Sequence, residues 1–157
     1  MHYSIREIQS EEISLLDDFL YETIYVPPGT PAPPRSILQE EALQVYVRDF
    51  GQKPDDKCLV AEADGTVVGA VWTRIMHDYG HVDDHTPSLA IALHPNYRSR
   101  GIGTALMTRM LEWLRQCGYQ QVSLSVQKDN RAVQLYQRLG FTTVLDHDSE
   151  YLMVCRV

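Results

Sequence analysis

The amino-acid sequence predicts one α/β (α+β) domain over residues 1–157, with about seven strands and four helices. Three observations lead to this class. Short apolar runs that alternate with polar residues recur along the chain, which is typical of half-buried strands. Longer segments carry apolar residues at spacings of three and four, as amphipathic helices do. The pair Asp64-Gly65 separates two apolar runs and is a strong β-hairpin signal.

The first half of the chain begins with a strand over residues 3–8, followed by a helical pattern from about Ser10. Five prolines within residues 26–34 exclude a helix or an inner strand there, because proline fixes φ and lacks an N–H donor. We interpret this segment as a semi-rigid surface loop that borders a site, rather than as a partner-binding segment or a linker. A second helix is predicted over residues 36–50, with Gly51 as its stop.

The second half continues with strands, two helices and one polar loop. One amphipathic helix is expected to bury Ile102, Leu106, Met110, Trp113 and Leu114 on one face. In chain order we predict a hairpin over 58–76, a polar loop over 77–87, a strand over 88–93, the amphipathic helix from about Gly101 to Gly118, a strand over 121–126, a short helix over 130–139, and two antiparallel strands over 141–145 and 151–157.

Composition restricts the class of protein. The formal net charge of −7 argues against a general nucleic-acid binder. The N-terminus has no signal-peptide pattern, and no apolar stretch approaches the roughly 18 residues of a membrane helix. Cys58, Cys117 and Cys155 lack metal-ligand spacing and are expected to be buried free thiols. We therefore expect a cytoplasmic monomer or homodimer that binds neither nucleic acid nor membrane.

The segment from Leu93 to Leu106 carries the clearest chemical signal. A strand ends at Pro95, a basic stretch with Arg98 and Arg100 follows, and two glycines open a helix. The first N–H groups of such a helix have no partner and attract anions, so the segment predicts a phosphate or pyrophosphate site. A Gly-x-Gly pair is equally compatible with a plain strand-to-helix turn. It also lacks the third glycine of the dinucleotide fingerprint.

Two separated motifs together resemble the GCN5-related N-acetyltransferase (GNAT) superfamily. The first is Leu93-His-Pro-x-x-Arg98-x-x-Gly101-x-Gly103, and the second is Asn130-x-x-Ala-x-x-Leu-Tyr136-x-x-Leu-Gly140-Phe141. The predicted element order is also that of the family. The resemblance implies a mixed, mostly antiparallel sheet of about seven strands, splayed between the fourth and fifth strands and flanked by four helices. It implies acetyl-CoA as the acyl-donor cosubstrate.

The resemblance also implies roles for particular residues. The pantetheine arm is expected along the backbone edge of the fourth strand, with Asn130 as a hydrogen-bond partner, and Arg98 is expected to act through its backbone. Tyr136 is expected to protonate the departing thiolate, although a half-buried core tyrosine would produce the same pattern. The cofactor-binding set is Ile91, Ala92, Leu93, Arg98, Ser99, Arg100, Gly101, Ile102, Gly103, Thr104, Asn130 and Tyr136.

The general base is open, because the strand over residues 88–93 contains no carboxylate where many family members carry one. The candidates are Asp83, Asp84 and His85 just upstream, or Ser88 and Ser125 as hydroxyls that order a water. His77, His81 and His85 recur at four-residue intervals, but Gly80 and Pro87 indicate a loop, and we expect no metal.

Acceptor recognition is expected from Tyr21, Tyr25 and the proline-rich loop, together with the segment from Asp78 to His85, in which Asp83 and Asp84 would favour a cationic amine. The predicted function is transfer of an acetyl group from acetyl-CoA to an amine, a small molecule in preference to a protein, by direct attack in a ternary complex. The alternative is a catalytically inactive acyl-CoA-binding or regulatory module. A nucleotide-binding signalling domain lacks any adenosine or magnesium fingerprint.

Overall fold

The computed structural model describes residues 2–157, and its strands form one mixed sheet. The spatial order is β1-β2-β3-β4-β5-β7-β6, and neighbours are antiparallel except for the parallel pair β4 and β5. This confirms the predicted fold class. The strands are β1 (Tyr3–Glu7), β2 (Lys57–Ala63), β3 (Thr66–Arg74), β4 (Ser88–Leu93), β5 (Gln121–Gln127), β6 (Thr142–Asp146) and β7 (Glu150–Arg156).

The α-helices are α1 (Leu16–Thr23), α2 (Glu41–Gln44), α3 (Ile102–Gln116) and α4 (Ala132–Arg138). The helical pattern from about Ser10 is present, but its first part, Ser10–Leu15, is a 3₁₀ helix that leads into α1. The continuous helix predicted over residues 36–50 is wrong. A 3₁₀ helix covers Arg35–Gln39, Glu40 is extended, and only the four residues of α2 are α-helical.

Hydrogen bonds from the sheet explain why the second helix is short. The indole N–H of Trp72 donates to the carbonyl of Tyr46 at 3.1 Å. The guanidinium of Arg74 donates to the carbonyls of Val45 at 3.1 Å and Arg48 at 2.9 Å. These carbonyls accept bonds from buried side chains of β3, so the segment after α2 packs on that face of the sheet as a series of turns. Local sequence periodicity cannot predict that side chains of a distant strand compete with the helix for these carbonyls.

The sheet is covered on both faces, so each strand contributes alternate side chains to two cores. One core lies under α3 and α4, and the other lies under α1 and the 35–50 segment. The predicted stripe of α3 is confirmed except for Trp113, which is only partly buried. Four side chains of this stripe are fully buried, and each stabilises the fold by about 1.5–3 kcal/mol. These are Ile102, Leu106, Met110 and Leu114.

The three cysteines are free thiols, but they differ in exposure. Cys58 and Cys155 are buried as expected, whereas the prediction for Cys117 is wrong because this residue is exposed. It caps the C-terminus of α3, where the chain turns away through Gly118 at a φ of 90°. Among residues 2–157, no helix combines the length and apolar composition that crossing a bilayer requires.

The sheet opens between its two parallel strands. The ladder between β4 and β5 contains the single pair Ser88 and Ser123, whose amide donates to the carbonyl of Pro87 at 3.0 Å. Beyond this pair the two strands are not hydrogen-bonded to each other in the described part of the chain. We refer to this opening, bounded by the remainder of β4 and of β5, as the split.

Candidate functional site

The free edge of β4 lines one side of the split. The carbonyl of Pro87 points to β5, and the amide of His94 donates to β3 at 2.9 Å. Because backbone groups alternate in direction along a strand, those of Ile91 and Leu93 point into the split. Those of Ala92 point toward β3, so the predicted edge consists of alternate residues rather than three in a row.

The N-terminus of α3 presents unpaired amides. Gly101 is the N-cap at a φ of 86°, and Ser99 also has a left-handed φ of 61°. The first bond of the helix joins the amide of Ala105 to the carbonyl of Gly101 at 3.1 Å, so the amides of residues 102–104 have no acceptor within the helix. A Cβ at Gly101 would have no atom within 4 Å. The helix dipole and these N–H groups together give this end of α3 a positive potential, and the approach to it is open at Gly101.

The guanidinium of Arg98 is directed toward the end of β4 and toward α1. Its Nε donates to the carbonyl of Leu93 at 3.3 Å, and its Nη2 pairs with Glu22 at 2.9 Å. This arrangement agrees with a positioning role, in which Arg98 orders the loop before α3. The guanidinium of Arg100 lies over the ring of Tyr97, with 5.8 Å between its Cζ and the ring centroid.

Asn130 shapes the entry to α4 on the opposite side of the split. Its Oδ1 accepts a hydrogen bond from the amide of Ala132 at 2.9 Å, which caps the first turn of the helix. The carboxamide oxygen therefore already accepts one hydrogen bond, and the Nδ2 group keeps two N–H donors for a ligand.

Tyr136 lies on α4 and is 8% exposed. Its ring contacts Phe141 at a centroid separation of 5.8 Å, within the core under α3 and α4. Burial raises the pKa of Tyr136 to about 12, so the phenol keeps its proton at neutral pH. In the described residues its hydroxyl has no hydrogen-bond partner.

The side chains of Asp83, Asp84 and His85 are exposed on the loop over residues 77–87. Asp83 accepts a hydrogen bond from the amide of His85 at 2.8 Å, and this bond lowers the pKa of Asp83. Asp84 lies 3.7 Å from Nε2 of His81. Within residues 2–157, no hydrogen bond or ion pair connects these three side chains to β4 or β5.

A different carboxylate contacts the start of β4. Oδ1 of Asp78 accepts a hydrogen bond from the hydroxyl of Ser88 at 2.8 Å, and Oδ2 accepts one from the phenol of Tyr46 at 2.7 Å. We call these three residues the Asp78 cluster. Burial and the neighbouring carboxylate raise the pKa of Tyr46 well above its ordinary value, so Tyr46 acts as a donor. From the sequence, Asp78 was predicted only as part of the segment that recognises the acceptor. Tyr46 was not predicted as a site residue, because it lay within the predicted helix over residues 36–50.

The same loop packs its backbone against β5. Ser123 donates its hydroxyl to the carbonyl of Gly80 at 2.5 Å, and a Cβ at Gly80 would lie 3.3 Å from the amide nitrogen of Ser125. Gly80 thus permits close contact between the loop and the strand. Ser125, which the sequence predicted as a hydroxyl that orders a water, follows Ser123 by two residues on β5. Its side chain is therefore on the same face of the sheet as that of Ser123.

The two predicted acceptor tyrosines differ in environment. Tyr21 donates its hydroxyl to the carbonyl of Pro33 at 2.5 Å and so anchors the proline-rich loop. Tyr25 donates to the carbonyl of Asp129 at 3.4 Å and lines a cavity of about 490 Å³. Pro27 of the loop therefore borders a cavity beside the end of β5, and the prediction that the loop borders a functional site stays a prediction. The lining residues are Tyr25, Pro27, Gln127, Lys128, Asp129, Asp148 and Ser149.

One further group has ligand-type atoms close together. His77, His81 and Asp84 place such atoms within 4.8 Å of one another. His77 and Asp84 are exposed, and Nδ1 of His81 lies 2.9 Å from the carbonyl oxygen of Met76. We assign no metal to this group.

Comparisons with known proteins agree with this architecture. A model of the Acetyltransferase (GNAT) family matches residues 20–141. The mycothiol acetyltransferase of Saccharomonospora viridis is 32% identical over 123 residues, which cover 76% of this chain and 40% of that protein. An acetyltransferase of Pectobacterium atrosepticum is 37% identical over 91 residues, which cover 57% of this chain and 60% of that protein.

A solved structure extends the likeness to the whole sheet. The PaiA N-acetyltransferase of Thermoplasma acidophilum, in complex with coenzyme A, superposes with a TM-score of 0.72 at 20% identity and covers 100% of both chains. At this identity the likeness concerns the fold. The chain spans 40% and 60% of the length of the two curated relatives described above.

Proposed function

We propose that the chain, which belongs to the GNAT acetyltransferase family, transfers an acetyl group from acetyl-CoA to the nitrogen of an amine by direct attack in a ternary complex. Acetyl-CoA is the acetyl donor of this family, and amines are its acceptors. The observation that carries the proposal is the meeting of the split with the unpaired amides of α3.

The described residues fit the two polar parts of the donor. The pyrophosphate is an anion of the kind that the amides of residues 102–104 would hold, with Gly101 leaving the approach open. The pantetheine arm contains amide groups that would pair with the backbone of Ile91 and Leu93, as an added strand does. The Nδ2 group of Asn130 would donate from the other side.

The chemistry requires a nucleophile and a proton donor. The amine nitrogen forms a bond to the acetyl carbonyl carbon while the carbon–sulfur bond breaks. Tyr136 would donate its proton to the sulfur and regain one from the nitrogen, which loses a proton as the amide forms. A phenol whose pKa is raised by burial stays protonated until the thiolate develops. A positioned proton donor of this kind contributes about 10²–10⁴-fold to the rate.

The acceptor is proposed to be a small cationic amine. The cavity beside the proline-rich loop is lined by Tyr25, Asp129 and Asp148, and by Lys128, whose ammonium group pairs with Asp146. An aromatic face and carboxylates attract a cation, so this cavity would hold a positively charged part of the acceptor other than the nitrogen that is acetylated. Asp83 and Asp84, both exposed on the loop over residues 77–87, would add long-range attraction.

Two measurements test the proposal. The melting temperature is measured with and without acetyl-CoA, and coenzyme A release is then followed by chromatography over a panel of primary amines. We expect a rise in melting temperature and release with at least one amine. Tyr136→Phe should lower kcat about 10²-fold or more, whereas Tyr3→Phe on the outer strand β1 should not.

The outcomes separate the alternatives. No thermal shift at millimolar acetyl-CoA would refute any acyl-CoA-dependent role. Binding without turnover of any amine would favour the inactive acyl-CoA-binding module. Equal turnover by Tyr136→Phe and wild type would show that Tyr136 is a core tyrosine without a catalytic role.

A further inference from the structure

We propose that Asp78 is the general base of the reaction, a carboxylate that binds the acceptor's ammonium group and accepts its proton. The assignment rests on the proposed acetyltransferase function. It provides a carboxylate from the loop over residues 77–87, in place of one on β4 itself.

Asp78 lies where the split begins. Its Oδ1 is bonded to Ser88, the residue of β4 that pairs with β5. Its Oδ2 is 3.2 Å from the position that a Cβ on Gly80 would take, and the amide nitrogen of Ser125 is 3.3 Å from the same position. The carboxylate therefore lies beside the first unpaired part of β5.

Asp78 and Tyr136 approach the split from opposite faces of the sheet. Tyr136 belongs to the core under α3 and α4, as does Leu89 of β4. Because side chains alternate along a strand, Ser88 points to the other face, where it contacts Asp78. An amine arriving beside Asp78 would then reach the acetyl carbonyl carbon from the face of the sheet opposite Tyr136, and the tetrahedral intermediate would expel the thiolate toward Tyr136.

The cluster is built to hold the carboxylate in one orientation. Ser88 is fully buried, and Tyr46 is held among the residues packed under the 35–50 segment. Each hydroxyl donates to a different carboxylate oxygen, at 2.8 Å and 2.7 Å. An ionised carboxylate offers about four acceptor positions, so two remain for an ammonium group.

The charged surroundings favour a cation at this position. Glu150 and Tyr79 both contribute, after burial and Asp78, to the raised pKa of Tyr46. Glu150 also pairs with Gln127 across the β5 and β7 ladder. The carboxylate of Asp78 thus lies beside a phenol that a second carboxylate also influences, and none of the three side chains of the cluster carries a positive charge.

The protons taken up and released in these steps balance. Asp78 takes one proton from the ammonium group, which becomes a neutral amine with a free lone pair, and later releases that proton to solvent. The amine nitrogen loses its second proton as the amide forms, and Tyr136 passes an equivalent proton to the sulfur. The products are the N-acetylated amine, coenzyme A and one proton in solution.

The test compares Asp78→Asn with the control Asp64→Asn, which changes an exposed carboxylate in the β2–β3 turn. The carboxamide keeps the shape of the side chain, and both hydroxyl partners can exchange donor and acceptor roles, so the cluster should remain folded. At pH 7.5 we expect kcat/KM for the acceptor amine to fall about 10²-fold or more in Asp78→Asn and to stay within twofold in Asp64→Asn. Acetyl-CoA affinity, measured by calorimetry, should stay within about twofold in both.

The pH profile provides a readout that a structural role would not change. The deficit of Asp78→Asn should shrink as the pH rises toward the pKa of the acceptor amine, because more acceptor then arrives neutral. Ser88→Ala and Tyr46→Phe should each lose about tenfold in kcat/KM, the effect of one hydrogen bond to a charged group. Neither should add to the loss in Asp78→Asn.

Each result decides the assignment. Wild-type turnover by Asp78→Asn, or a deficit that is constant with pH, would overturn the role of Asp78 while leaving acetyl transfer intact. Loss of acetyl-CoA binding in Asp78→Asn would show a structural role instead. A wild-type protein that neither binds acetyl-CoA nor releases coenzyme A would overturn the proposed function and this assignment together.

Discussion

The N-terminus of α3 allows a matched test of the donor site, because the helix has a similar glycine at each end. Gly101 and Gly118 have φ values of 86° and 90°, and a Cβ at either position would have no atom within 4 Å. Alanine at either position therefore carries the same left-handed strain, about 1–2 kcal/mol. Only Gly101 lies beside the unpaired amides of residues 102–104.

The magnitude follows from the bonds that a methyl group at Gly101 would block. Each amide hydrogen bond to a charged phosphate contributes about 1.5–3 kcal/mol, and each 1.4 kcal/mol is about tenfold in Kd. If the methyl group prevents one such bond, Gly101→Ala should weaken acetyl-CoA binding by about 10–150-fold. Gly118→Ala should leave the Kd within about twofold while losing similar stability.

The assay is isothermal calorimetry with acetyl-CoA, with urea unfolding of both variants to confirm that their stability losses match. Weakening in Gly101→Ala alone would support the pyrophosphate site. Equal affinities in the two variants would refute the reasoning. Equal weakening in both would also refute it, since a general loss of helix stability would then explain the effect.

Three further predictions concern stability and accessibility. Arg74→Leu should cost about 3–5 kcal/mol of unfolding free energy in urea, because Asp56 would keep a buried charge without its partner at 3.0 Å; a loss below 1 kcal/mol would contradict this. Glu12, whose pKa is lowered to about 2 by its hydrogen bonds with Arg6, contributes stability above pH 4.5 that is lost as the pH falls through 2. Glu12→Gln should therefore be less stable by about 2 kcal/mol at pH 7 and equal to wild type near pH 2, as urea titrations at both pH values would show. Cys117 alone should react within minutes with a thiol reagent in the native protein, and three thiols should react after unfolding; rapid reaction of more than one native thiol would contradict the burial of the other two.

Elements with their own local pattern were predicted well from the sequence. The stripe of α3 and its opening at Gly101 follow from spacing and glycine chemistry within about 20 residues, which is the range over which periodicity operates. The hairpin around Asp64-Gly65 is equally local. The helix predicted over residues 36–50 was wrong, because carbonyls of this segment accept hydrogen bonds from Trp72 and Arg74 of a distant strand.

The Asp78 cluster marks the limit of sequence reasoning at the site. Tyr46 and Asp78 are separated by 32 positions and lie on irregular segments, so no spacing connects them. The exposed neighbours Asp83, Asp84 and His85 have the right chemistry for a base, and composition alone cannot distinguish them from Asp78. What distinguishes them is contact with β4.

The sequence by itself determined the fold class, the family and the expected position of the donor. Each of these depends on residues that are close in the chain or in a recognisable order, and strand and helix periods are properties of the local backbone. The tertiary structure decided which backbone groups of β4 face the split and which carboxylate reaches it. It also decided which cysteine is exposed. These features depend on packing between elements that are distant in sequence. Which groups form hydrogen bonds and which side chains are buried is therefore fixed only when the sheet assembles.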